Sequence, residues 1–155
     1  TGPTSLVLTR QNLPVLDRKS GTYASAELAA NGAYVLTEDE GFEAIIMASG
    51  SEVEIALEAK AMLNESGVKV RVVSVPAMDL FEKQSSEYKD EVLPASCTVR
   101  VAVEAGSTMP WYKYVGMNGG VVGMDSFGAS APYKVLYQKF GITAENVVKE
   151  VKERI

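Results

Sequence analysis

Residues 42–76, FEAIIMASGSEVEIALEAKAMLNESGVKVRVVSVP, constrain the fold more than any other stretch. The runs around Ile45–Met47 and Val70–Val75 are short, apolar and β-branched, the pattern of strands covered on both faces. Between them Val53, Ile55, Leu57, Ala59, Ala61, Met62 and Leu63 recur on a broad helical face, with Glu52 and Glu54 in the first turn, where the helix dipole favours negative charge. Ser51 with Glu54 has the spacing of a capping box, and Gly67 fits the left-handed position after a helix end. A strand, a helix and a strand at these lengths form a βαβ unit, so the two strands are expected to be parallel.

The rest of the chain extends this pattern. SLVL (5–8) reads as a strand that ends in the hydrogen-bonding cluster Thr9–Asn12, and RQNLPVLDRKSG (10–21) reads as a connector. YASAELAANG predicts a short helix ending at Gly32. AYVLTEDEG predicts a strand that turns into the 44–48 strand, and the short connection favours an antiparallel pair of those two. Short helices are expected within 78–93, strands at TVRVAVEAG and VVGMDSFG, a helix capped by Ser130 with Pro132 in its first turn and Gly141 as its stop, and a last helix from Thr143. In that last helix Ile142 and Val147 fit a hydrophobic staple, Val147, Val151 and Ile155 mark the apolar stripe, and Glu145–Lys149 and Glu150–Arg154 are favourable pairs. The fold class is therefore α/β: a three-layer sandwich with a mostly parallel, mixed, five-stranded sheet and helices on both faces.

Composition excludes several kinds of chemistry. The 155 residues contain no histidine and one cysteine, Cys97. A Ser–His or Cys–His pair cannot form within the chain, and a zinc site lacks its usual donors. A lone cysteine suits a reducing compartment. A net charge of −5 with no basic block argues against nucleic acid, and no apolar run approaches the length of a membrane span. The chain starts at Thr1 rather than Met, within a few residues of a strand, which suggests a piece of something longer.

Five features could carry function. Glu104 closes a strand at the carboxyl edge of the sheet, where α/β proteins bind ligands; the simpler expectation is a helix cap or a pair with a Lys or Arg. The ASGSEVE turn presents helix-start amides, but its two glutamates would repel a phosphate. WYKYVG, with Trp111, Tyr112, Lys113 and Tyr114, reads as core packing or a subunit contact rather than a stacking platform. MDSFGASAP holds Asp125, Ser126 and Ser130 without a base to activate either serine. Arg10 is either a solvated connector residue or a ligand arginine.

Taken in order, GPTSLVLTRQNLP, ASGSEVEIALEAKAMLNESGVKVRVVSVP, RVAVEAG, WYKYVG, FGASAP and FGITAENVV resemble the C-terminal portion of bacterial-type transketolases, over essentially the whole chain. The resemblance implies a homodimer of three-domain chains in the cytoplasm. Its first two domains bind thiamine diphosphate and a divalent cation (Mg or Ca) and transfer a two-carbon ketol unit from a ketose phosphate to an aldose phosphate in the pentose phosphate pathway. It assigns residues 1–20 to the tail of the preceding, pyrimidine-binding domain plus a linker, and 21–155 to the C-terminal domain. Of the family's functional residues it carries across only the arginine of TRQNLP, Arg10, as a contact to the substrate's phosphate; no catalytic, cofactor-binding or metal-binding residue is expected here. On this reading the isolated chain is inactive and serves subunit contacts. A regulatory small-molecule-binding module or a dimerisation module is the alternative.

Overall fold

A computed structural model describes residues 3–155. Thr1 and Gly2, the start of the expected tail, lie outside the described residues. The strands are β1 (Tyr34–Glu38), β2 (Ala44–Ala48), β3 (Val70–Ser74), β4 (Arg100–Val103) and β5 (Gly120–Val122). The helices are α1 (Glu52–Glu65), α2 (Met78–Glu82), α3 (Ser86–Val92), α4 (Tyr112–Val115), α5 (Tyr133–Phe140) and α6 (Ala144–Lys152), with 3-10 segments at Ala26–Asn31 and Met109–Trp111.

The sheet has five strands in the order β1-β3-β2-β4-β5. β2 pairs in parallel with both β3 and β4, and β4 with β5; β1 alone runs antiparallel, against β3. Strand alternation splits the core in two. Leu36, Ile46, Val72, Val101 and Val103 face α1 and α6, where Ala56, Ala59, Leu63, Val147 and Val151 meet them. Ile45, Met47, Val73 and Ala102 face the opposite way, onto Phe81, Val92, Trp111 and Tyr114. The expected three-layer sandwich is the observed one; β2 is apolar throughout because both its faces are covered, and β3 is buried along its length with Arg71 and Ser74 set among its valines.

Several local expectations fail, each for a physical reason. β1 does not pair with β2. From Asp39 the chain crosses the end of β3: the Val70 amide donates to Asp39 Oδ2 at 2.9 Å, and the Glu43 amide donates to the Lys69 carbonyl at 2.9 Å. Glu38 then lies opposite Arg71, whose Nε donates to Glu38 Oε2 at 2.7 Å. The slot beside β2 goes to β3, all five of whose residues are buried, rather than to the partly buried β1. Residues 5–8 form no strand; no neighbouring strand takes up their backbone groups, and Leu6, Val7 and Leu8 are 81%, 91% and 74% exposed. Ser51 makes no cap to α1; its hydroxyl donates to Glu52 instead. Pro132, not Ser130, stands at the start of α5, and no side chain caps it. On α6 Lys149 pairs with Glu153 rather than Glu145, whereas the expected Glu150–Arg154 pair forms at 2.9 Å. Gly32 does end its helix, with φ of +84°; a Cβ there would lie 2.2 Å from the Phe81 nitrogen, so the close approach of α2 admits only glycine.

Because β1 is reversed, its first residue, Tyr34, lies opposite Ser74, the last residue of β3. The connector that precedes β1 is thereby delivered to the carboxyl edge of the parallel strands, where the candidate site lies.

Candidate functional site at the sheet's carboxyl edge

The chain leaves β2 toward β3 on one side, and β4 takes the other side of β2. A crevice opens at such a switch point, and ligands of open α/β sheets bind there. Ser49 follows β2 and Glu104 follows β4. Across the crevice Ser49 Oγ donates to Glu104 Oε2 at 2.6 Å. Glu104 therefore neither caps a helix nor pairs with a Lys or Arg, the simpler expectation for it. Burial raises its carboxyl above the ordinary range, the Glu52 charge and a Glu52 contact raise it further, and Ser49 partly offsets them.

Glu52, the first residue of α1, is 3% exposed. Its Oε1 accepts from Ser51 Oγ at 2.8 Å and also from the Tyr137 hydroxyl of α5. Ser51 Oγ and Tyr137 Oη stand 3.4 Å apart. Tyr137 in turn accepts from Gln11 Nε2 at 3.2 Å, which brings the connector into the cluster. Burial, then the Glu52 contact, raises the Tyr137 hydroxyl above its usual range, so it stays a neutral donor. Beside this cluster a cavity of about 520 Å³ lies between the connector (Leu13–Leu16), Tyr34, Ser74 and α1.

The arrangement does not fit a phosphate at the α1 start. The Glu52, Val53 and Glu54 amides already donate to the carbonyls of Ser49, Gly50 and Ser51, and two carboxylates face the crevice. Among the described residues no group of three or more metal-ligating side chains gathers, so the oxygen ligands a divalent cation needs are not assembled here. Among the described residues no helix is long and apolar enough to cross a membrane.

The other sequence candidates resolve into structure. Trp111 and Tyr114 are buried and pack edge to face at 6.5 Å, while Tyr112 is exposed. Asp125 accepts from the Thr108 amide at 3.1 Å and from its hydroxyl at 2.7 Å, which fastens two loops rather than activating a serine. Arg10 is exposed on the connector, one residue before the tethered Gln11. Sequence reasoning missed Tyr137, Ser49 and Glu52 as partners; Tyr137 carried no signal beyond its helical spacing.

A five-stranded sheet wound in both directions from β2, with a polar cluster at its switch point, defines a doubly wound α/β domain. The family model described as the transketolase-like TK C-terminal domain matches residues 32–143, and the chain belongs to that family. It is 50% identical over 153 residues to transketolase 1 of Escherichia coli (strain K12), covering 98% of this chain and 23% of that one. To the transketolase of Aquifex aeolicus (strain VF5) it is 49% identical, covering 99% and 22% respectively. A transketolase from Pichia stipitis, in complex with sedoheptulose-7-phosphate, superposes with a TM-score of 0.83 at 37% identity, covering 94% of this chain and 20% of that one. The chain thus spans less than a quarter of the length of these full-length transketolases.

Proposed function

We propose that the chain acts as the C-terminal domain of a longer, homodimeric, cytoplasmic transketolase, which moves a two-carbon ketol unit between sugar phosphates in the pentose phosphate pathway. Thiamine diphosphate and a divalent cation would be held by the parts of the longer protein outside this chain, whose described residues gather no metal-ligating cluster. Residues 1–20 are the tail of the preceding domain and its linker, and 21–155 form the domain itself. Identity near 50% along almost the whole chain to bacterial transketolases supports the reading.

Within this chain the substrate contact falls to Arg10. Its guanidinium is exposed, on a connector led to the carboxyl edge of the sheet. A guanidinium gives two parallel charge-assisted hydrogen bonds to a phosphate, which a lysine cannot duplicate. The phosphate is remote from the bond that breaks, so this contact orients the sugar. In the full-length enzyme Arg10→Ala is expected to lower kcat/KM for phosphorylated sugars by roughly 30-fold, the equivalent of about 2 kcal/mol for a lost charged hydrogen bond. Unchanged discrimination between phosphorylated and unphosphorylated substrates would sink the assignment. The chain alone, given cofactor and substrates, is expected to show no turnover above a blank.

A second reading, a regulatory small-molecule domain, rests on the cavity beside Ser51 and Ser74. Calorimetry of nucleotides and sugar phosphates against this chain separates the two: saturable binding favours the regulatory reading.

A further inference from the structure

Residues 3–17 form a connector without helix or strand that bends at Arg10 and Gln11. Among the described residues of that stretch, one side-chain hydrogen bond reaches the folded body, from Gln11 Nε2 to Tyr137 Oη at 3.2 Å. The sequence separation is 126 residues, so no local preference places these groups together. The polarity of the contact is fixed. Tyr137 has one hydroxyl proton and gives it to Glu52, a carboxylate 3% exposed, so the phenol oxygen can only accept from Gln11. Ser51 Oγ donates to the same Glu52 oxygen at 2.8 Å and holds it in place. The result is a directed chain, Gln11 to Tyr137 to Glu52, rooted in the first turn of α1. Such chains strengthen one another and have one low-energy arrangement.

The residue before Gln11 is Arg10. We infer that Tyr137 is a positioning residue for the phosphate contact made by Arg10: by holding the Gln11 side chain, it restricts the arc through which the neighbouring guanidinium can swing. This rests on the reading of Arg10 as the phosphate ligand. The physical case is entropic. A guanidinium meets a phosphate in two parallel bonds only over a narrow range of orientations, and ordering a loose connector at the moment of binding costs affinity. Residues 3–9 are exposed throughout, so without the Gln11 contact the nearest hold on the connector is the packing of Leu16 against the core.

The test uses the full-length enzyme with Tyr137→Phe, Gln11→Ala and the double variant, alongside Arg10→Ala. Tyr137→Phe keeps the ring and removes only the hydroxyl; Gln11→Ala leaves the domain untouched, so misfolding cannot account for a shared effect. Each single variant is expected to raise KM for phosphorylated sugars roughly five-fold, with the loss in KM rather than kcat, while an unphosphorylated acceptor such as glycolaldehyde shifts less than about two-fold. The double variant should be no worse than either single one, because both remove the same contact. In the 155-residue chain, trypsin should cut after Arg10 faster in both variants than in the parent. Equal losses on phosphorylated and unphosphorylated substrates, additive effects, or unchanged KM and cleavage would overturn the inference. If Arg10→Ala itself leaves phosphate discrimination unchanged, the functional reading fails, while the cleavage rates still report whether the tether exists.

Discussion

Glu104 is held where its charge is disfavoured. It sits beyond β4 with Ser49 donating to one oxygen and the Glu52 carboxylate nearby, and burial is the largest cause of its raised pKa. A carboxyl with a folded pKa above its unfolded value binds protons more tightly in the native state. Its contribution to stability is therefore fully present below the ordinary carboxyl range and is lost as pH rises through the raised value. Glu104→Gln preserves the acceptor for Ser49 and offers an amide donor to Glu52. Thermal melts from about pH 5 to about pH 8 are expected to decline less steeply in the variant, which should be the more stable of the two at the upper end. Parallel slopes would show that Glu104 carries no such strain. At this scale the sequence was only half legible: the ends of β2 and β4 could be located, but which side chains would face each other across them depends on strand order, and Tyr137 reaches Glu52 from 85 positions away.

Elements are legible where their own periodicity decides them. α1 and α6 lie where the apolar spacing puts helices, with Ile55, Ala56, Ala59 and Leu63 buried from one and Val147 and Val151 from the other; the expected stripes were wider, and Ala61, Met62 and Ile155, the last beyond the end of α6, are exposed. Leu63 is fully buried, and Leu63→Ala is expected to cost about 3 kcal/mol, seen as a lower urea midpoint with an unchanged slope. A smaller loss, below about 1 kcal/mol, would mean that the α1 end does not pack as described. Pairing was less legible than position. The short turn after β1 favours an antiparallel pair with β2, yet Asp39 bonds the β3 backbone and turns the chain across the end of that strand. SLVL has the composition of a strand but no partner within residues 3–155, and composition cannot supply one.

For the molecule as a whole, the connector and the sheet domain are nearly separable. Leu6, Val7, Leu8 and Val15 are largely exposed, and the first residue packed against the core is Leu16. Removing residues 1–15 is expected to leave a cooperative unfolding transition and to cost about 1 kcal/mol, the loss of the Gln11 contact. A much larger loss, or a broadened transition, would place the domain boundary further toward the N-terminus than residue 20. The fold class and its layers were readable from the 42–76 stretch because both strands and the helix between them are strongly patterned. The crevice was not, because it is made by three distant segments.

The two outer strands have a further consequence. β1 changes register between Val35 and Thr37, and β5 is three residues long, with the Glu150–Arg154 pair set against Gly120. Neither presents a long, flat row of free amides and carbonyls, so another molecule's strand finds little template on which to add. The buried interior strands β2 and β3, which would feed fibril growth if they were uncovered, are kept away from both borders.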